Sequence, residues 1–345
     1  MSLEVHVYGS GFGETIFLRW PRAEGGWRGA LVDAHSPQEG RWLVDKLRVL
    51  QLAELEFVVA THPHLDHIFN LAAGLHLAGV RIGRGLYWPG LTPGYWMQFF
   101  GKLAAQRGGD LPQTASMIRQ LFNFLSMRTK QHDMPAHDIG GSEEMEAVLE
   151  SDVNGEHLRF RPIGPWLPEM NKLVQNVSGS IASDGRIDYE HRDANSVSIA
   201  LLIEYGNAQV VLGSDMEIGN WDCLRAAKNH PFFRPSVVKV SHHGSSNGRT
   251  NTMWPANKGF FDGMGAKPIA IVTPWRQGGR SLPDESVLKE IRRAGFTVYV
   301  TGHGATPRYR DPDSHVSIRV TPDGAMEVFE QSKVRILEAV TTSVR

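Results

Sequence analysis

The segment Thr61-His62-Pro63-His64-Leu65-Asp66-His67 packs three imidazoles and a carboxylate into six consecutive positions after Thr61. Imidazole nitrogen and carboxylate oxygen are donors that zinc, iron and manganese share. Such a density of ligand-type groups makes sense when a cation neutralises it, and it argues against a polar loop with surface histidines. His62 and His64 are two residues apart, so in an extended chain they point to the same side. Asp66 and His67 lie past the turn and can face a second cation. The chain holds 15 histidines in 345 residues, and histidine is the commonest metal ligand and proton carrier near neutral pH.

The elements around this segment must place it at a strand end. Phe57–Ala60 is a short apolar run that stops at the histidines, and the spacing predicts a helix over Ile68–Leu77 closed by Gly79. Leu3–Tyr8 and Thr15–Trp20 alternate apolar and polar residues around a glycine turn, and Gly29–Val32 is a third strand. Arg41–Leu50 has helical spacing. The second half repeats this grammar. Ser198–Tyr205 and Ala208–Leu212 form a hairpin through Gly206-Asn207. Val237–Val240 again stops at histidines, Ile269–Thr273 and Val298–Thr301 follow as strands, and Pro283–Ala294 reads as a helix. Ser317–Val320 and Met326–Phe329 close with another hairpin. Two strand-rich halves with interspersed helices predict an α/β, αββα sandwich of two mixed β-sheets flanked by helices, in one domain over 1–345. Residues 90–155 read as a helical insertion or lid, with Met117, Ile118, Leu121, Phe122 and Leu125 on one helix face.

Composition narrows the classes. Lys+Arg 36 against Asp+Glu 37 gives a net charge of −1, which excludes a globally basic nucleic-acid coat. One cysteine, Cys223, excludes an intrachain disulfide and a cysteine zinc site. No apolar run approaches membrane-spanning length, and MSLEVHVYGS has no signal-peptide pattern, so a cytoplasmic setting is the expectation. The glycines at 9–13 lack the Lys-Ser/Thr of a phosphate loop, and Ser245 and Ser246 lack a nucleophile elbow.

The His-x-His-x-Asp-His run after a strand resembles the signature of the metallo-β-lactamase superfamily. The resemblance extends over most of the chain outside the insertion. It implies that Asp33 is a supporting first-motif aspartate, that Asp215 bridges two metals, and that His242 is the fifth-motif histidine. Closer still is the resemblance to the hydrolase domain of ComEC-type DNA-uptake proteins and their soluble relatives. Gly11-Phe12-Gly13-Glu14, Thr61–His67, Asn195-Ser196, Gly213–Asp215 and Val238–Ser245 carry it, and the His-His-Gly-Ser run is the most specific. It implies metal-dependent phosphodiester hydrolysis, often of DNA. The implied metal ligands are His62, His64, Asp66, His67, Asp215 and His242, holding two divalent ions, Zn or Mn. Three departures stand out. No histidine falls securely at the third motif, where His191, Asp193 and Asn195 are the alternatives. Ser214 stands where a glycine is usual, and Leu282 stands where the relatives have a histidine.

Two cations sharing a water would lower its pKa toward about 7, giving hydroxide at neutral pH. Asp66 would hold a metal and orient the hydroxide, and His243 would touch substrate. Lys239, Ser245, Arg276, Arg280 and His303 are candidates for the phosphate. The expected partner is a nucleic acid or nucleotide phosphodiester, without a membrane. A second copy or a partner protein could dock on the 90–155 insertion. The competing readings are a lactone, thioester or amide hydrolase on the same scaffold, and a metal-binding interaction module.

Overall fold

Alternation decides which way each strand faces. Leu3, Val5 and Val7 of β1 (Leu3–Gly9) join one apolar cluster, while Tyr8 joins another on the opposite face. The polar His6 between them is buried and bonded through Nδ1 to Ser317 Oγ at 2.8 Å. A strand buried on both faces belongs to the middle of a layered structure, and that is where β1 sits.

The computed structural model describes residues 2–88, 113–133, 147–153, 155–182, 192–227, 235–248, 268–277, 280–305 and 311–340. The first sheet runs, from edge to edge, β17 (Met326–Ser332), β16 (His315–Val320), β1, β2 (Glu14–Pro21), β3 (Trp27–Val32), β4 (Glu54–Ala60), β5 (Arg81–Tyr87) and β6 (Thr129–Asp133). The second runs β18 (Arg335–Leu337), β15 (Thr297–Val300), β12 (Ile269–Val272), β11 (Val237–Lys239), β10 (Ala208–Leu212), β9 (Leu201–Tyr205), β8 (Glu156–Pro162) and β7 (Leu149–Val153). A short pair, β13 (Arg276–Gln277) and β14 (Arg280–Ser281), stands apart. Both sheets are mixed: β3 to β6 and β10 to β12 to β15 pair in parallel, and the flanking strands antiparallel.

Three apolar clusters define the layers. The middle one joins the two sheets face to face, with Leu3, Val5, Ile16, Leu18 and Trp20 from the first and Phe160, Leu201, Ile203, Val210 and Val237 from the second. Trp20 and Phe57 both pack on Phe160, at ring-centroid distances of 5.1 and 5.0 Å. Each such aromatic contact adds about 0.5–1.5 kcal/mol beyond area burial. On the outer face of the first sheet lie the helices Arg41–Val49, Leu71–Ala78 and Gln113–Arg128, through Leu43, Leu47, Leu75, Ile118 and Leu121. On the outer face of the second lie Ile218–Ala226 and Glu285–Arg293, through Trp221, Leu224, Val287 and Ile291. This is the αββα sandwich expected from the sequence.

Two local features differ from expectation. The helix predicted over Ile68–Leu77 is broken: Leu65–Ile68 is one turn, and Leu71–Ala78 starts anew. Asn70, between them, takes φ 57° and its side-chain amide donates to the Ser36 carbonyl at 2.9 Å. Asparagine tolerates that left-handed geometry better than most residues. The described part of the 90–155 segment supplies Gln113–Arg128 as a helix, and also the outermost strands β6 and β7 of the two sheets. Residues 89–112 and 134–146, including most of the expected lid, lie outside the described residues. Among the described residues, no helix is long and apolar enough to cross a membrane.

Candidate metal centre

Four loops leave the carboxyl ends of central strands and converge. Asp33 follows β3, His62–His67 follow β4, Asp215 follows β10, and His242-His243 follow β11. Strand carboxyl ends are where open α/β sheets place their sites. The turns are tight. Asp33, Ser214, His242 and His243 all have positive φ, at 56°, 47°, 47° and 54°. Each non-glycine residue held there costs about 1–3 kcal/mol, which surrounding structure must offset. Gly13 (φ 81°) lets the first glycine loop come close: a Cβ there would meet His35 at 2.4 Å and the Asp66 carbonyl at 2.7 Å.

Asp33 is fully buried and organises the first half of the site. Its Oδ1 accepts the Thr61 N–H at 2.8 Å, and its Oδ2 accepts the Thr61 hydroxyl at 2.7 Å. Oδ2 also lies 2.7 Å from His67 Nδ1. That bond places the His67 proton on Nδ1 and leaves Nε2 free to face inward. His62 Nε2 is 3.0 Å from His64 Nδ1 and 3.6 Å from Asp215 Oδ2.

His243 comes from the other sheet. Its Nδ1 donates to the Thr273 carbonyl at 2.9 Å. Its Nε2 lies 3.1 Å from Asp66 Oδ2 and 3.6 Å from Asp215 Oδ2. Asp215 Oδ1 is 3.5 Å from His67 Nε2. His67 Nε2 and Asp215 Oδ1 are buried and face each other, and among the described residues neither has a hydrogen-bond partner. Two such atoms left so are costly unless something else satisfies both. His62, His67 and Asp215 offer ligand atoms that all lie within 4.8 Å of one another.

A second group with the same spacing is Glu14, His67 and His243. Here the carboxylate approaches the back of both rings, 3.7 Å from His67 Nδ1 and 3.8 Å from His243 Nδ1. Those nitrogens are already committed to Asp33 and to the Thr273 carbonyl. Glu14 therefore sits behind the histidines rather than among the inward-facing donors.

The charges are strongly coupled. Burial opposes ionisation of Asp66 and Asp215, but the facing histidines outweigh it and hold both carboxyls below their ordinary range. Burial likewise opposes charge on His67 and His243. Asp215 and the neighbouring acids overcome it, raising His67 well above 6.5 and His243 above it too. His62 moves the other way, lowered by burial and by the two nearby imidazoles, so it stays neutral. Burial raises Asp33, against the pull of His67. Without a cation, protons on His67 and His243 balance the acids. Divalent cations could take that place, and the inward donor set fits them.

The remaining sequence candidates separate clearly. The structure turns His243, rather than His242, onto Asp66 and Asp215. His242 instead has Nδ1 3.3 Å from Glu217 Oε1 and Nε2 3.4 Å from Asn195 Nδ2. Asn195 is buried and donates to Glu217 at 2.9 Å, and its Oδ1 has no hydrogen-bond partner among the described residues. Lys239 is fully buried with its ammonium against Glu14 Oε2, so a role in clamping substrate phosphate does not suit it. Ser245 is buried as well, its Oγ accepting the Asn247 N–H at 3.4 Å. The Arg276 guanidinium donates to the Gly302 and Ala305 carbonyls. His303 is exposed on the following turn. The side chains of Asp193 and Arg280 lie outside the described residues, as does His191. Glu14, Thr273 and Glu217 were given no role by the sequence. The signal for Glu14 was its place in phase with Ile16 and Leu18, on the face that meets the second sheet.

No family model and no curated protein matches the chain. Solved structures with a likeness include a metallo-β-lactamase bound to 2-mercaptoethanesulfonate. It is 12% identical, with a TM-score of 0.33, over 74% of this chain and 84% of that one. Zn2+-bound PqqB from Methylobacterium extorquens is 11% identical, with a TM-score of 0.31, over 69% of this chain and 72% of that one. A long form RNase Z from yeast is 9% identical, with a TM-score of 0.33, over 69% of this chain and 32% of that one. The fold assignment rests on the strand order and the three core layers.

Proposed function

We propose that the chain is a metal-dependent hydrolase of the metallo-β-lactamase type, acting on a phosphodiester with two divalent cations. The observation that carries this reading is the pair His67 Nε2 and Asp215 Oδ1, 3.5 Å apart inside a group of buried histidines and acids and without a hydrogen-bond partner among the described residues. Charge supports it. Glu14, Asp33, Asp66 and Asp215 are buried against one buried ammonium, Lys239. Ligation requires His67 and His243 to give up the protons that balance the acids in the metal-free chain, which leaves four negative charges against one positive, a net of −3 that bound cations would offset.

His62, His64 and Asp215 would hold one cation, with Asn195 and His242 beside them. Asp66, His67, His243 and Asp215 would hold the other. Bound there, the cations supply Lewis acidity and make attack by water feasible at neutral pH. The protein's own residues do the positioning. Asp33 and Thr61 fix His67, the Thr273 carbonyl fixes His243, and Asp66 orients the reacting groups on the second cation's side. The phosphodiester class is supported by the Val238–Ser245 run, with its His-His-Gly-Ser, and the expected ligand is a nucleic acid or nucleotide. Asn195 contributes oxygen at the third-motif position, a donor that suits Mn2+ as well as Zn2+.

The test is elemental analysis after repletion with Zn2+ or Mn2+, followed by assay on bis-p-nitrophenyl phosphate, single-stranded DNA, RNA and a lactone. Stoichiometric metal with phosphodiester cleavage is expected. Less than one metal per chain refutes the metal centre. A replete enzyme that opens the lactone and cleaves no phosphodiester refutes the substrate class alone.

A further inference from the structure

Glu14 and Lys239 form a buried ion pair between the two sheets. Glu14 opens β2 in the first sheet and is 1% exposed; Lys239 ends β11 in the second and is 0% exposed. Each is in phase with residues that fill the layer between the sheets, Ile16 and Leu18 for one and Val237 for the other. The Lys239 ammonium contacts Glu14 Oε2, and the Thr273 hydroxyl donates to the same oxygen at 2.6 Å. Thr273 in turn uses its carbonyl to accept His243 Nδ1–H at 2.9 Å. The other carboxylate oxygen lies 3.7 Å from His67 Nδ1. One carboxylate thus lies against His67 from the first sheet and, through Thr273, against the support of His243 from the second.

The two sheets meet mainly through apolar contacts, which are not directional and tolerate small slides. Ligation tolerates much less, because donor distances must hold to a few tenths of an ångström. A buried ion pair with a fixed hydrogen-bond partner is directional; it is weak evidence for stability, and registry is the best-attested use of such pairs. We propose that the Glu14–Lys239 pair, acting through Thr273, is a positioning device that locks the two sheets in the register where His67 and His243 can ligate one cation. The inference rests on the metal-dependent reading. It assigns Glu14 and Lys239 to positioning, outside the ligand set and away from substrate.

The experiment titrates Co2+ into the metal-stripped full chain against a competing chelator, recording affinity and the visible absorption spectrum. The wild-type chain is compared with Glu14→Gln, which removes one charge of the pair, and with Thr273→Val, which keeps both charges and removes only the hydroxyl. Each variant is also melted in chelator. Partners one shell behind a metal ligand typically change affinity 10–100-fold when altered. Both variants are expected to weaken Co2+ binding on that order and to shift the absorption band. Should Glu14→Gln fail to fold, Thr273→Val decides. A variant that melts earlier yet binds Co2+ with wild-type affinity and spectrum overturns the inference, because the pair would then be structural only. A wild-type chain that binds no Co2+ overturns the metal-dependent reading, and this inference with it.

Discussion

Asp33→Asn is a small change with a large expected effect on metal binding. The carboxylate accepts three hydrogen bonds, one on Oδ1 and two on Oδ2. Asparagine has one oxygen and one NH2 group. The Thr61 backbone N–H cannot reverse, so the amide oxygen must stay in front of it. The NH2 group then lands where Oδ2 was, facing His67 Nδ1. That nitrogen can meet an N–H only as an acceptor, so the ring must move its proton to Nε2. Nε2 is the atom that faces Asp215 at 3.5 Å, and a protonated nitrogen cannot ligate a metal. Breaking such support costs metal affinity about 10–100-fold, or about 1.4–2.8 kcal/mol. The metal-free fold should lose less than the bond count suggests. Hydrogen bonds to a charged group are worth about 1.5–3 kcal/mol each, but burial already penalises the Asp33 charge and raises its pKa, and a neutral amide escapes that penalty. Chelator competition gives the affinity, and urea denaturation in chelator gives the stability. An Asp33→Asn chain that binds Zn2+ as tightly as wild type would refute the tautomer argument.

Asp66→Ala should abolish hydrolysis and lower metal-free stability by about 1–3 kcal/mol, the cost of leaving a buried group without its partner, because it removes the carboxylate 3.1 Å from His243 Nε2 while relieving some repulsion from Asp215; retained turnover would place the chemistry elsewhere. His243→Ala should strip metal more than His242→Ala, because His243 faces Asp66 and Asp215 while His242 faces Asn195 and Glu217; metal content of the two purified variants decides. The metal-free protein should be most stable near pH 6–7. His67 and His243 are raised above 6.5 in the fold, so their contribution is complete below 6.5 and is lost as pH rises through their folded values. His62, His6 and His242 are lowered, so stability also falls as pH drops below 6.5 and the unfolded chain takes up protons more readily. A urea midpoint that climbs steadily from pH 6 to 9 in chelator would contradict this.

The convergence of the histidine loop on the strand ends was legible because its donors are local: six positions at one strand end carry three imidazoles and a carboxylate. The layered fold was legible for the same reason, since β1 to β4 and β9 to β12 alternate or run apolar within a few residues. The edges were not. β6, Thr-Lys-Gln-His-Asp, has no apolar pattern and exists because β5 offers it a partner. The order within His242-His243 was also out of reach, because both residues take positive φ in a short turn and simple alternation no longer says which ring faces inward. Lys239 misled for a different reason. Lysine is usually solvated, and only its phase with Val237, set beside the matching phase of Glu14, points to a buried pair.

The position of β1 has a consequence for how the chain is made. β1 is bonded on one side to β2, a few residues away, and on the other to β16, with His6 meeting Ser317. During synthesis the first sheet can assemble from β1 to β5 early, but the outer edge of β1 stays open until His315–Val320 emerges. At roughly 5–20 residues per second the wait is about 15–60 s. For that time the strand offers unpaired N–H and C=O groups to any other extended chain. Overproduction at high temperature, which crowds many such nascent edges together, should therefore send this protein into aggregates through β1, and slower, cooler expression should recover it.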